Sequence, residues 1–207
     1  MIVSTRRLLS IMVAGCTSGF LIGAVAPIAA QADLVSLSAC DNSALTQPFN
    51  QWADLDYYKL APGGDFEGSL SGWTLSGGAQ GASGSESYGV GGSVGSSSLR
   101  LPSGSSAVSP QTCVNAAYPT FRFFVRSDTP GTTVTESVIY QTAAGSTTIP
   151  VGSVAATGSW MPTAPMLTGS AITGAMNGGT ANVSLQFTAS GGSAQVDDVY
   201  VDPWRGG

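Results

Sequence analysis

The chain predicts an all-β fold, a single antiparallel β-sandwich of jelly-roll type. Three observations carry that prediction. Short segments alternate apolar and polar residues with a period of two, the repeat of a half-buried strand. Clusters of Gly, Pro and Ser separate them. After the first 32 residues no segment sustains a helical period.

The first 32 residues read as a secretion signal. Arg6 and Arg7 form a basic start, Leu8 to Ile28 is predominantly apolar, and Ala30-Gln31-Ala32 is a small-x-small cleavage site. Cleavage before Asp33 leaves a soluble exported chain with no membrane segment. A second reading takes Val13-Ala14-Gly15-Cys16 as a lipobox, with Cys16 lipidated. The apolar run continues from Phe20 to Ile28, which suits the middle of a cleaved signal better. A third reading keeps the apolar stretch as an anchor, since its length is close to a membrane span; the cleavage site argues against it.

The whole chain has 207 residues, seven basic and twelve acidic, and no His. Arg6 and Arg7 leave with the signal, so five basic residues face twelve acidic ones in the exported part. Nucleic acid is excluded as a partner, because binding it needs clustered Lys and Arg. Lys59 is the only Lys, and Ala, Gly, Ser and Thr abound. A GC-rich bacterial genome produces that bias. Cys40 and Cys113 remain after signal removal, and an even pair in an exported chain reads as a disulfide. It would close a loop of about 74 residues and contribute roughly 4 kcal/mol.

Residues 33–62 form a lead-in tied down by Cys40, irregular around Leu45 to Phe49, with Tyr57 to Leu60 opening the first strand. The sandwich itself spans 63–204. Pro62-Gly63-Gly64 is a turn or bulge. Strand candidates are Gly72 to Leu75, Ser97 to Leu101, Ser106 to Ser109, Thr120 to Ser127, Thr133 to Tyr140, Thr147 to Val154, Asn182 to Thr188 and Gln195 to Val201. Phe121, Phe123 and Val125 share one face. Val134 and Val138 share another with Glu136, which is expected to make that face solvated or a cleft wall. Gly77 to Gly95 reads as a long loop or an irregular strand pair.

Two acidic motifs bracket the sandwich: Gly63-Gly64-Asp65-Phe66-Glu67-Gly68 with Gly72-Trp73, and Gln195-Val196-Asp197-Asp198-Val199-Tyr200-Val201-Asp202. Acidic residues at both ends of a charge-poor chain suggest that the ends meet. These motifs resemble the start and finish of galactose-binding-like jelly rolls, among them carbohydrate-binding modules of the xylan- and glucan-binding type. From Asp33 on, the chain also resembles a group of uncharacterised secreted actinobacterial proteins. The shared features are a Cys before the first strand, Ser98 to Pro102, Ser109 to Val114, and Phe121 to Phe124. That second likeness implies no activity.

The first likeness implies a structural calcium, with Asp65, Glu67 and one of Asp197 or Asp198 as its carboxylates. Calcium takes six to eight oxygens, which such a cluster helps to supply. Simple alternation puts Asp197 on the face of Val199 and Val201; if that is the core face, Asp197 is a buried carboxylate that needs a cation or several donors. The plainer alternative has Asp65 or Asp198 capping a turn, or pairing with Arg100 or Arg122. Trp73 is expected in the core beside Phe66.

Sugar rings stack on exposed aromatic faces, and the candidates are Trp160, Tyr88, Tyr140, Trp204 and Trp52. Trp160, between Gly158-Ser159 and Met161-Pro162, and Tyr88 are singled out as ligand-binding residues. Without His there is no Ser-His-Asp triad. No spacing sets two carboxylates across a cleft, as a glycosidase needs. The expected function is non-catalytic binding of an extracellular polysaccharide or other glycan. The rival is an extracellular surface or structural protein with protein partners.

Overall fold

In the computed structural model the described residues are 43–115, 120–142, 145–168 and 180–202, all within one compact unit, Asp33–Gly207. Residues 1–32, with Cys16, and Cys40 and Trp204 lie outside the described residues. A short 3-10 turn at Asn50–Trp52 precedes the strands β1 Lys59–Leu60, β2 Thr74–Ser76, β3 Gln80–Ser83, β4 Ser97–Leu101, β5 Ser106–Val108 and β6 Thr112–Asn115. They continue as β7 Thr120–Arg126, β8 Thr133–Thr142, β9 Gly145–Ala155, β10 Met161–Pro162, β11 Met166–Leu167, β12 Thr180–Ser190 and β13 Ala194–Asp202.

The strands make two antiparallel sheets. One runs β10-β7-β13-β4-β3, with β1 on β13 and β11 on β7; the other runs β2-β5-β12-β8-β9, with β6 on β12. The two bracketing motifs do meet. Ala61 N–H donates to Val199 O at 2.8 Å and Val199 N–H donates to Gly64 O at 2.9 Å. Gly64 is required there, since a Cβ would stand 2.8 Å from Val199 O.

The core lies between the sheets. Leu99, Leu101, Phe121, Phe123, Val125, Val196, Val199 and Val201 face Ala107, Val134, Val138, Tyr140, Val183, Leu185 and Phe187, all buried. Trp73 joins them beside Phe66, ring centroids 5.0 Å apart, and its indole N–H donates to Pro62 O at 3.1 Å.

Burial along the strands separates the sheets. From Thr133 to Tyr140, β8 alternates half-buried and buried residues, as a strand with one wet face should. In β7 and β13 nearly every residue is buried. The lead-in is the reason. Phe49 and Tyr58 form a second apolar cluster with Phe124, Trp160 and Tyr200, with Trp52, Leu60 and Val90 packed against it. Arg122 is buried on the same face, its guanidinium pairing with Asp54 at 2.5 Å and donating through Nε to Thr163 O at 2.7 Å. Its guanidinium carbon also sits 4.2 Å from the centre of the Phe49 ring.

Two expectations are corrected. Glu136 is neither solvated nor on a cleft wall: it is fully buried, and neither carboxylate oxygen has a hydrogen-bond partner. Its strand alternates cleanly, so a carboxyl at an inward position goes inside with Val134 and Val138. Burial pushes its pKa up to about 8. Asp197 does not share a face with Val199 and Val201. A bulge shifts the register of β13 between Asp197 and Tyr200, with Asp198 at φ 47°. Asp197 pairs across with Phe124 and lies on the outer side of the sheet, away from the core between the sheets.

Candidate functional site

The outer face of the seven-stranded sheet gathers the aromatic rings and the accessible cations. Tyr88 is 41% exposed. Its ring stacks on Phe124 at 5.7 Å and meets the edge of Trp52 at 4.9 Å, and its hydroxyl donates to Trp160 O at 3.2 Å. The fold therefore brings Tyr88 and Trp160 together across 72 residues of sequence. They differ in access. Trp160 is 8% exposed, which corrects the expectation of an open loop ring. It is buried because the lead-in cluster covers one side and the Arg126 guanidinium lies 5.8 Å from its ring centre. Tyr140 is a core residue. Tyr88, with half-buried Trp52, is the accessible aromatic surface here.

Carboxylates hold the Tyr88 loop in place. Asp197 accepts from Glu86 N–H at 2.7 Å and from Asp198 N–H at 2.9 Å. Glu86 in turn accepts from the backbone N–H groups of Tyr88, Gly89 (2.7 Å) and Val90 (3.1 Å). At the far end of the loop, Glu67 accepts from Ser96 N–H and Ser97 N–H, both at 2.7 Å, and from Ser96 Oγ–H at 2.8 Å. Those donors hold the Glu67 carboxyl below its usual range, led by Ser97 N–H. A Gly- and Ser-rich segment has few side chains to anchor it, so charge-assisted bonds to its own backbone do that work.

The same carboxylates are the expected calcium ligands. Asp65, Glu67 and Asp198 line one cavity of about 110 Å³ with Ser85, Gly91, Ser93 and Gly95. Asp197 does not line it. Glu67 and Asp197 spend oxygens on backbone N–H groups, and among the described residues no three acidic, Cys or His side chains stand as a ready ligand set. The fit to a cation is therefore partial and centres on Asp65 and Asp198. Burial raises the Asp197 pKa to about 7. Burial also raises that of Asp198, with the charges of Asp197, Glu86 and Asp65 adding to it.

Beside the aromatic rings, one row of side chains crosses the sheet. Gln80 pairs with Arg100, Arg100 with Gln195, and Gln195 with Arg126. The next position is Trp160, just before Met161, which pairs with Val125. A cleft of about 200 Å³ opens on this row, lined by Arg100, Gln195, Ser193, Ser127, Asp128 and Thr129. Arg126 is neutralised by Asp128, with contacts of 2.6 and 2.8 Å to its two oxygens. Cys113 is placed on β6, half-buried and not a free thiol.

No protein-family model and no curated protein matches the chain. Solved structures do. The chain is similar to the CBM22-1–GH10 modules of the endo-1,4-beta-D-xylanase 10B of Clostridium thermocellum, complexed with xylohexaose. Identity is 17% and the TM-score 0.50, over 70% of this chain and 28% of that one. It is also similar to the CBM22-1 xylan-binding domain of Paenibacillus barcinonensis Xyn10C, at 13% identity and TM-score 0.46, over 67% and 90% of the two chains. A third similar structure is the family 11 carbohydrate-binding module of the Clostridium thermocellum cellulase Lic26A-Cel5E, at 13% and 0.43, over 70% and 93%. The likeness is one of fold: an antiparallel two-sheet jelly roll.

Proposed function

We propose that this chain is a non-catalytic, secreted carbohydrate-binding-like module that recognises an extracellular glycan on the outer face of its seven-stranded sheet. The observation that carries the reading is Tyr88, an accessible ring on a carboxylate-braced loop, next to a row of polar side chains that can bond sugar hydroxyls. A jelly roll shared with a structure complexed with xylohexaose supports the same direction. The direct test is a glycan array and a pull-down on insoluble polysaccharides with the folded protein. Saturable retention is expected. A folded protein retained by no glycan removes the reading.

A rival has its own observation. Leu55 and Leu167 are 69% and 61% exposed, apolar surface that a protein partner would cover. Competition of a binding partner with glycan, or its indifference to glycan, separates the two.

Two further features belong to the proposal. A disulfide between Cys40 and Cys113 ties the lead-in to β6; mass mapping of the unreduced protein tests the pairing. A calcium ion sits at Asp65 and Asp198, with the remaining oxygens drawn from backbone and water. Such an ion offsets the burial and the neighbouring negative charges that together raise the Asp198 pKa. Calcium then raises the melting midpoint at pH 8 and chelator reverses it. A midpoint indifferent to both removes the ion.

A further inference from the structure

We infer that the cleft beside Arg100 is a subsite for an acidic sugar, a ring whose carboxylate pairs with the Arg100 guanidinium. The inference rests on the glycan reading above and names the chemistry of one position in it.

Among the described residues, Lys59 and Arg122 are buried at 2% and 5% exposure. Of the cations among the described residues, only Arg100 and Arg126 reach solvent, and both stand in the same cross-strand row, on either side of Gln195. Arg126 already has Asp128. Arg100 has no carboxylate in ion-pair range among the described residues; Nε donates to Ser193 Oγ at 3.2 Å, which leaves the two terminal nitrogens to the cleft. A guanidinium presents a planar fork that matches a carboxylate with two parallel bonds.

Asp128, the carboxylate of the lining, is held at Arg126, and the neutral groups of the lining suit the rest of a sugar. Gln195 donates through Nε2 to Ser98 Oγ at 3.0 Å, so its Oε1 is turned to accept. Ser193 Oγ accepts from Arg100 and keeps its own hydrogen to donate. Thr129 is exposed at the rim. The wall is fixed in advance. Ser127 Oγ–H donates to Ser193 O at 2.7 Å and its oxygen accepts from Thr129 N–H at 3.0 Å, locking the 127–132 turn to the β12–β13 turn. Gly192 permits that approach, since a Cβ would fall 2.7 Å from Thr129 Cβ. A ligand pays little ordering cost at such a wall.

Position links the subsite to the rings. From Trp160 to Arg100 the row crosses three strand spacings, about 14 Å at 4.7–4.9 Å each. An oligosaccharide lying across the strands can therefore rest on Tyr88 at one end and place a carboxylate at Arg100.

The test uses matched ligands: an oligogalacturonate and its methyl ester, one with the carboxylates free and the other with them masked. A sulfated glycan is the third ligand. The wild-type protein is expected to bind the free acid roughly tenfold more tightly than the ester, the scale of one accessible charge-assisted contact, with the advantage fading as salt rises. Arg100→Gln is expected to erase the difference, so that acid and ester bind alike; Arg100→Lys, a point charge without the fork, is expected to restore part of it. Melting midpoints equal to wild type keep folding out of the comparison. Equal binding of acid and ester overturns the subsite and leaves the glycan reading standing. A sulfated glycan preferred over the uronate, and lost in Arg100→Gln, overturns the carboxylate assignment. Binding of none of the three, or of any insoluble glycan, removes both readings.

Discussion

The two outer faces of the sandwich are built from different chemistry. On the six-stranded sheet, Ser76, Ser106, Thr188, Thr135 and Ser153 stand in register across five strands. The flanking positions are Val108, Gln186, Ser137 and Pro150, and the described residues of that face include no charge and no aromatic ring. The outer face of the seven-stranded sheet carries Phe124, Trp160, Tyr200, Arg122, Arg126 and Arg100, and the lead-in packs over its Phe124, Trp160 and Tyr200. Polar hydroxyls alone offer a ligand little that water does not, because each bond gained replaces a bond to water. Rings and charges add apolar area and directional contacts. On the proposed reading, recognition belongs to the seven-stranded sheet.

The largest expected effect breaks the covered face. Phe49 is fully buried and touches Tyr58, Phe124 and Tyr200 within 5.1–5.8 Å. Phe49→Ala should cost about 3–5 kcal/mol in a denaturant titration. A loss below about 1 kcal/mol would mean that the lead-in rests on the sheet without stabilising it.

Next comes pH, which separates two kinds of buried carboxyl. Glu136 has an ordinary value of 4.5 and is pushed up to about 8 by burial. Between those values the unfolded chain has lost a proton that the native chain keeps. Stability therefore falls as pH rises from about 4.5 to about 8, at up to about 1.4 kcal/mol per pH unit, and the loss is complete above that. Glu136→Gln should flatten much of this slope and melt higher than wild type at pH 8. The slope that remains below about pH 7 belongs to Asp197 and its neighbours. An unchanged profile in Glu136→Gln would assign the whole pH response to that cluster.

A smaller effect is local. Glu86→Gln removes the charge from three bonds to the Tyr88 loop. Amide exchange at Gly89 and Val90 should accelerate roughly tenfold, the scale of one charge-assisted bond, while core amides such as Leu185 stay protected. The smallest effect lies opposite: Thr135→Val with Thr188→Val should change stability by about 0.5 kcal/mol or less.

Much of the sandwich was legible in the sequence wherever one face is wet. Ser97–Leu101 matches its strand end to end, β7 stops one residue short of its expected end, and β8, β9, β12 and β13 run one or two residues past the alternating segments at one or both ends. Alternation failed where its physical basis does. β3, with Gln-Gly-Ala-Ser, has no apolar side to display, and β10 and β11 are two residues long. The bulge at Asp198 reversed the side assigned to Asp197, since one extra residue inverts the alternation around it. The second apolar cluster did leave a trace: Phe124 breaks the alternation of Phe121, Phe123 and Val125, a sign of burial on both faces. Tyr88 was readable as a candidate ring. Its support by Glu86 was not, because nothing local marks a lone Glu in a Gly- and Ser-rich loop as the group that satisfies its backbone.

The measurement closest to the central claim compares three folded proteins on the same panel of insoluble polysaccharides: wild type, Tyr88→Ala, and Thr135→Ala with Thr188→Ala. Saturable retention of wild type and of the hydroxyl-face variant is expected. Tyr88→Ala should bind roughly tenfold more weakly or not at all, at an unchanged melting midpoint. Retention that survives Tyr88→Ala and disappears with the two threonines would contradict the account and move recognition to the six-stranded sheet.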